Sequence, residues 1–296
     1  MKKKWIIEIN NIPSNTTTEK FIFNSTDIQN QINKFEKNFP LDSIEAKLNF
    51  DIAQLNRELP PAIEKFGAFN FQYQNRLSKC KSYQSTSLTW NSNAIDSLSN
   101  NPHQGAIGSS KYNEGNSAFY EAIETEKNTY GDTYSFKERT PISKTGSLKI
   151  LLDSFQRTLV RSRISTIKAN DKESLGLQYL WHQDESIFIN LRVNIPISSN
   201  ENYVIQLLDY KTAESEAEIK EFELVPGKAY IYNTKKYHRP FCKKLNSLDR
   251  INIICGVSPW FDFHPESNTW QSNEFYGELH PFEMFQQGHI SCLIKS

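Results

Sequence analysis

The sequence predicts a mainly β protein with α additions, built as a sandwich or jelly roll, on three observations. The run Ile187–Ile197 alternates, with Ile, Leu or Val at every odd position and Asn190, Arg192 and Asn194 among the even ones. Period two over that length is the signature of a strand. Short β-rich runs follow at Tyr203–Leu208, Glu221–Val225, Ala229–Tyr232 and Arg250–Val257, separated by turn residues such as Pro226-Gly227. No helical period intervenes from about residue 163 onward, which argues against a parallel sheet with crossover helices.

Upstream the texture is helical and mixed. Ile28, Ile32, Phe35 and Phe39 stand at helical spacing within residues 24–67. After a break at Pro40, Leu41-Asp42 opens a second expected helix with Leu48, Ile52 and Leu55 on one face, ended by Pro60-Pro61. Residues 91–117, rich in Asn, Ser and Gly, predict a long loop. Leu148, Leu151, Leu152, Phe155 and Leu159 predict a helix over 147–162. The expected organisation is one structural unit in three stretches. These are a helical and mixed region 1–146 that supplies a wall or lid, a jelly-roll core 147–262, and a C-terminal extension 263–296.

Composition narrows the class. The 296 residues include 19 Phe, 13 Tyr and 5 Trp, ample for a core. Lys+Arg and Asp+Glu tie at 34 each, so net charge gives no footprint for nucleic acid or an anionic membrane. No apolar run reaches the ~18 residues that span a bilayer. Met1-Lys2-Lys3-Lys4 resembles the start of a signal peptide, but Glu8 and the Asn-rich stretch behind it leave no apolar segment. Cys80, Cys242, Cys255 and Cys292 form no disulfide framework, which suits a reducing compartment. A cytoplasmic protein acting on a small molecule or peptide is expected, with no nucleic-acid or membrane partner.

The motif that carries chemistry is Trp181-His182-Gln183-Asp184. On an extended segment His182 and Asp184 share a face, where both can bind one metal ion. Alone the pair means little: 6 His and 34 acidic residues in 296 make about 0.7 such pairs expected by chance. A second one exists, His264-Pro265-Glu266. The residues downstream of each pair separate them. His238 comes 56 residues after His182, just beyond the Pro226-Gly227 turn, and would complete two His and one carboxylate, the facial triad of non-haem Fe(II) oxygenases. Arg250 then opens an apolar strand, where a bidentate pair with a carboxylate would offset its burial. Behind His264 come only His280 and His289, and no Arg. His264 is expected at the surface.

From about Arg161 to Phe261 the chain resembles the aspartyl/asparaginyl β-hydroxylase family of Fe(II)/2-oxoglutarate-dependent dioxygenases, including bacterial members that hydroxylate amino acids such as proline. The resembling pieces are Arg161-Ser162-Arg163-Ile164, His182-x-Asp184, Asn190–Ile197, Val225–Tyr230, Asn233 before His238, and Arg250. The resemblance implies a double-stranded β-helix, the cupin-like jelly roll. It implies His182, Asp184 and His238 as Fe(II) ligands, and Arg192 and Arg250 as contacts to 2-oxoglutarate, with O2 as co-substrate. Asn194 stands where the family often has His and is grouped with the co-substrate residues. Asp184 favours hydroxylation over halogenation, because halogenating relatives keep that position small.

Other readings of the same residues stay open. A cupin-type binding protein could use the same metal without turnover, and the same iron could desaturate or epimerise. Arg192 could be a structural ion pair. Arg161 and Arg163 are expected to be solvated helix-end charges. Trp90, Trp181 and Trp260 are expected in the core or its rim, and Cys242 and Cys255 as small buried apolar residues.

Overall fold

The computed structural model describes residues 6–8, 26–36, 39, 41–66, 69–70, 83–90, 133–134, 136–169, 183–209, 218–244 and 247–295. The elements in chain order begin with β1 (Ile6–Glu8), α1 (Thr26–Glu36), β2 (Ser43–Leu48), α2 (Ile52–Phe66), β3 (Phe69–Asn70), β4 (Tyr83–Ser87), β5 (Thr89–Trp90) and β6 (Glu138–Arg139). Next come α3 (Gly146–Asp153), β7 (Arg163–Ile167), β8 (Leu191–Ser198), β9 (Tyr203–Asp209), β10 (Glu218–Glu223), β11 (Lys228–Tyr232) and β12 (His238–Cys242). The chain closes with β13 (Arg250–Val257), β14 (Phe261–His264), β15 (Thr269–Ser272), α4 (Pro281–Gln286) and β16 (Ile294–Lys295).

Two antiparallel sheets form the barrel. The larger runs β16-β2-β11-β8-β13-β7-β4-β3 and the smaller β10-β9-β12. From β7 to β13 the chain winds between them: β7 and β8 in the larger, β9 and β10 in the smaller, then β11, β12 and β13 alternately. That winding is a double-stranded β-helix, the jelly roll that the strand pattern and the resemblance implied. The larger sheet reaches beyond residues 147–262, however. β2 and β16 cover the open side of β11, and β4 covers that of β7, so both flanking regions satisfy strand edges of the core.

The alternation of β8 fixes which side chains enter the barrel. Its odd positions and those of β13 lie in the main core with Leu55 and Leu59 of α2, Leu151 of α3 and Phe282 of α4. Its even positions share the opposite face with Tyr230, which pairs with Asn194, and Tyr230 and Tyr232 meet Ile205 and Leu207 of β9 there. Arg192, Asn194, Arg250 and Asn252 therefore line the interior between the sheets.

Several expected boundaries move. Ser43–Leu48 is a strand rather than part of a second helix, because Ala46 and Leu48 alternate into the core against Ala229 of β11. Pro60 and Pro61 lie inside α2 instead of ending it. An interior Pro costs about 3 kcal/mol. Burial of Leu55 and Leu59, at roughly 1.5–3 kcal/mol each, offsets much of that. The helix expected over 147–162 stops at Asp153; beyond it Val160 N–H donates to Gly256 O (2.8 Å) and Leu159 bridges to Val257, so β13 captures the backbone. The strand expected from Ile187 begins at Leu191, since the amides of Ile189 and Asn190 fold back on Ser186 O (2.9 and 3.0 Å). The 91–117 loop and Trp181 lie outside the described residues. Trp260 is fully buried and Trp90 partly, while Cys242 and Cys255 are buried.

α4 opens on an unusual cap. His280 Nδ1 accepts from Phe282 N (3.0 Å), and His280 N donates to Glu283 Oε2 (3.0 Å). Phe39 stacks on the imidazole at 3.7 Å. Burial lowers the His280 pKa to about 4. The unfolded chain takes this proton near pH 6.5 and the folded one only near 4, so this contribution to stability is lost as pH falls through that window. Thermal unfolding should show the loss, and His280→Asn, which keeps a capping acceptor without titrating, should flatten it.

Candidate metal centre

Asp184 and His238 are brought together by pairing between two segments outside the strands. Asp184 N donates to Thr234 O (2.8 Å), Gln183 Nε2 to Lys235 O (2.5 Å), and Thr234 Oγ1 to Glu185 O (2.9 Å). The 183–185 segment is thus bonded to the β11–β12 connection, which delivers His238 at the first position of β12. His238 Nε2 lies 3.2 Å from Asp184 Oδ2, with both side chains buried.

The imidazole is oriented by its other nitrogen, since Nδ1 stands 2.9 Å from Lys236 O. A carbonyl only accepts, so Nδ1 carries the proton and Nε2 turns its lone pair toward a carboxylate oxygen. Two acceptors face each other only across a cation, either a proton or a metal ion. A separation of 3.2 Å lets both atoms reach one metal ion through bonds of about 2.1 Å, so the pair fits two ligands of a shared ion. Among the described residues no third His, Cys, Asp or Glu joins them. His182, the expected third ligand, lies outside the described residues.

Asp184 has a further partner. Arg192 Nη1 donates to the same Oδ2, and the pair is buried. Burial works against the Arg192 charge, but the Asp184 and Glu185 carboxylates outweigh it and raise its pKa. Arg192 therefore sits on the carboxylate of the motif. Arg250 is 3 % exposed on the same interior face, two residues from Asn252. Asn252 Nδ2 donates to Asn194 Oδ1 (3.0 Å), which gives Asn194 a partner within the sheet. Next to Asn252, across β7 and β4, lie Ser165 and Ser85. Ser85 Oγ, Ser165 Oγ and Asn252 Oδ1 are buried with no hydrogen-bond partner among the described residues. The two serine hydroxyls can donate, so beside a buried guanidinium they suit an anionic occupant with oxygen acceptors, whereas Asn252 Oδ1 is itself an acceptor.

Three features escaped the sequence reading. Tyr232 packs edge-on against His238 (5.1 Å between ring centroids). Burial and the Asp184 charge raise its pKa, against the opposing pull of Arg192, Arg250 and Arg163, which keeps the phenol protonated. Period two along β11 would have marked it as facing the interior with Tyr230. Arg161 and Arg163 are buried rather than solvated. Arg161 Nη1 pairs with Glu185 Oε1 at 3.0 Å, and Arg163 stands opposite Ile254 on the interior face. No local signal distinguishes these two arginines from helix-end charges, because the helix that would have exposed them ends eight residues earlier. Finally, a cleft of about 540 Å³ is lined by Gln183, Lys235, Lys236 and His280 among others, and neither Asp184 nor His238 lines it. The competing His264 is part-exposed and pairs with Glu266 at 3.1 Å, apart from this centre.

No family model and no curated protein matches the chain. Among solved structures it is similar to SnoN, a non-heme alpha ketoglutarate dependent epimerase from nogalamycin biosynthesis (TM-score 0.42, 8% identity, covering 78% of this chain and 84% of that one). It is also similar to SnoK, a non-heme alpha ketoglutarate dependent carbocyclase from the same biosynthesis (TM-score 0.39, 7% identity, 83% and 88% covered). A third is a prolyl hydroxylase from Trichoplax adhaerens, in complex with a hypoxia inducible factor peptide fragment (TM-score 0.36, 10% identity, 86% and 95% covered).

Proposed function

We propose that this chain is an Fe(II)/2-oxoglutarate-dependent dioxygenase that hydroxylates an unactivated C–H of an amino acid, free or within a peptide or secondary-metabolite intermediate. The observation that carries the reading is the approach of His238 Nε2 to Asp184 Oδ2 at 3.2 Å inside the barrel, with the Nδ1 proton already committed to Lys236 O. His182, Asp184 and His238 would hold the iron. Iron with 2-oxoglutarate and O2 would supply the oxidising power for C–H hydroxylation, with succinate and CO2 as co-products.

The chain's own part is binding and exclusion of water. Arg250, with the Ser165 hydroxyl on the same face, would hold the far carboxylate of 2-oxoglutarate. Arg192 would orient Asp184, and Asn194 would brace the interior through Asn252. Residues 1–146, including the 91–117 loop, would supply the substrate wall. Incubation with Fe(II), O2, 2-oxoglutarate and an amino-acid and peptide panel should release succinate and add one oxygen to a product, read by mass. Succinate without an oxygenated product would point to desaturation or epimerisation on the same iron.

One observation favours a second reading. Arg192 occupies the same Asp184 oxygen that a metal would use. A metal-free barrel that binds an anion among its arginines would keep that ion pair permanently. It would bind 2-oxoglutarate, if at all, with no dependence on metal.

A further inference from the structure

Next to the acidic ligand stands a second carboxylate that the proposed chemistry does not use. Glu185 is 1 % exposed, and both of its oxygens are engaged. Oε1 accepts from Arg161 Nη1 (3.0 Å) and from Thr133 Oγ1, and Oε2 accepts from Asn190 Nδ2 (2.7 Å). Its backbone oxygen accepts from Thr234 Oγ1 (2.9 Å). One residue thus joins the approach to β7, residue 133 of the N-terminal region, the entry to β8 and the β11–β12 connection. Arg161 is 2 % exposed, stacks over Phe136 (5.2 Å) and holds φ at +46°, a left-handed conformation that costs a non-glycine residue energy. The backbone around it is equally committed: a Cβ at Gly256 would stand 2.0 Å from Val160 O and 2.6 Å from Asn190 Oδ1.

A buried ion pair is seldom the most stable filling of such a space; apolar residues of similar volume commonly do as well or better. What the pair offers here is direction. With Asp184 N donating to Thr234 O (2.8 Å) and the Glu185 carbonyl and side chain both held, the backbone from which the Asp184 carboxylate projects is fixed on both sides.

We infer that Arg161 and Glu185 are a positioning pair that orients Asp184, and so sets the metal affinity of the centre. The inference rests on the metal-binding reading of Asp184 and His238. Outer-shell partners of metal ligands typically carry about 10–100-fold in affinity.

The test compares the full chain with the double variant Arg161→Met/Glu185→Gln, which removes both charges together and leaves neither alone. Gln retains an acceptor for Thr133, and a flip of the Asn190 amide would satisfy its NH2 group through the Oδ1 that has no partner among the described residues. Circular dichroism and thermal unfolding report the fold, and calorimetric titration with Co(II), with the visible Co(II) spectrum, reports the centre. The expected result is a folded variant with Co(II) affinity about 10–100-fold weaker and an altered spectrum. A folded variant that binds Co(II) within twofold of the parent overturns the inference and leaves a merely structural pair. If the double variant does not fold, Thr133→Val removes a single donor to Glu185. A several-fold loss of affinity then supports the inference, and unchanged affinity overturns it. If the parent chain itself takes up no Co(II), the dioxygenase reading fails before any variant is compared.

Discussion

His238→Ala is expected to abolish metal-dependent 2-oxoglutarate turnover while the chain stays folded. Removing the imidazole takes away its contact to one backbone carbonyl and leaves Asp184 paired with Arg192. The stability loss should be about 1–3 kcal/mol, the ordinary range for a core truncation. Asp184→Ala should abolish turnover too, but with a different thermal signature. It strands Arg192 at 8 % exposure with its nearest anion gone, and breaking a buried pair costs about 3–5 kcal/mol. Asp184→Glu should recover only part of the metal affinity, because one methylene moves the oxygen by more than a metal bond tolerates. Calorimetric metal titration and thermal unfolding of the three variants separate the two losses. Normal turnover in His238→Ala or Asp184→Ala would remove these residues from the metal site.

Arg250→Lys is expected to raise the apparent KM for 2-oxoglutarate by about 10–100-fold, the loss of one hydrogen bond to a charged group at about 1.5–3 kcal/mol. The ammonium keeps the charge but loses the planar fork. KM for the prime substrate should move far less. Arg192→Lys should behave differently, because its guanidinium lies on Asp184. Its loss should appear as weaker metal binding and a lower rate, spread evenly over both substrates. Steady-state kinetics with each substrate varied in turn decides this. The reverse pattern would exchange the two arginines.

The strands of the jelly roll were legible because half-buried strands write their burial directly as period two. Arg250–Val257 matches β13 residue for residue, and Tyr203–Leu208 falls one short of β9. The same alternation places Arg192 and Arg250 on the inward face of their strands. It misled at Ile187–Asn190, where the pattern continues although the chain turns on Ser186, since a buried turn needs apolar residues as much as a strand does. It failed at Ser43–Leu48, where Leu48, Ile52 and Leu55 satisfy a helical spacing across a strand and the start of the next helix. Helix ends were the weakest reading, because capture of Leu159 and Val160 by β13 is a long-range event with no local mark. In the centre, the approach of Asp184 to His238 followed from motif order. The ion pair of Arg161 with Glu185 did not, since 24 residues separate them and only the closed barrel brings them together.

The most direct measurement is anaerobic absorption spectroscopy of the full chain with Fe(II) and 2-oxoglutarate. Chelation of the iron by the 2-oxo and C1 carboxylate groups should produce a weak visible charge-transfer band. The band should appear only when metal and 2-oxoglutarate are both present, and should be lost in His238→Ala. Absence of any band at saturating concentrations of both, in a folded sample, would contradict the dioxygenase reading and leave the metal-free anion-binding barrel in its place.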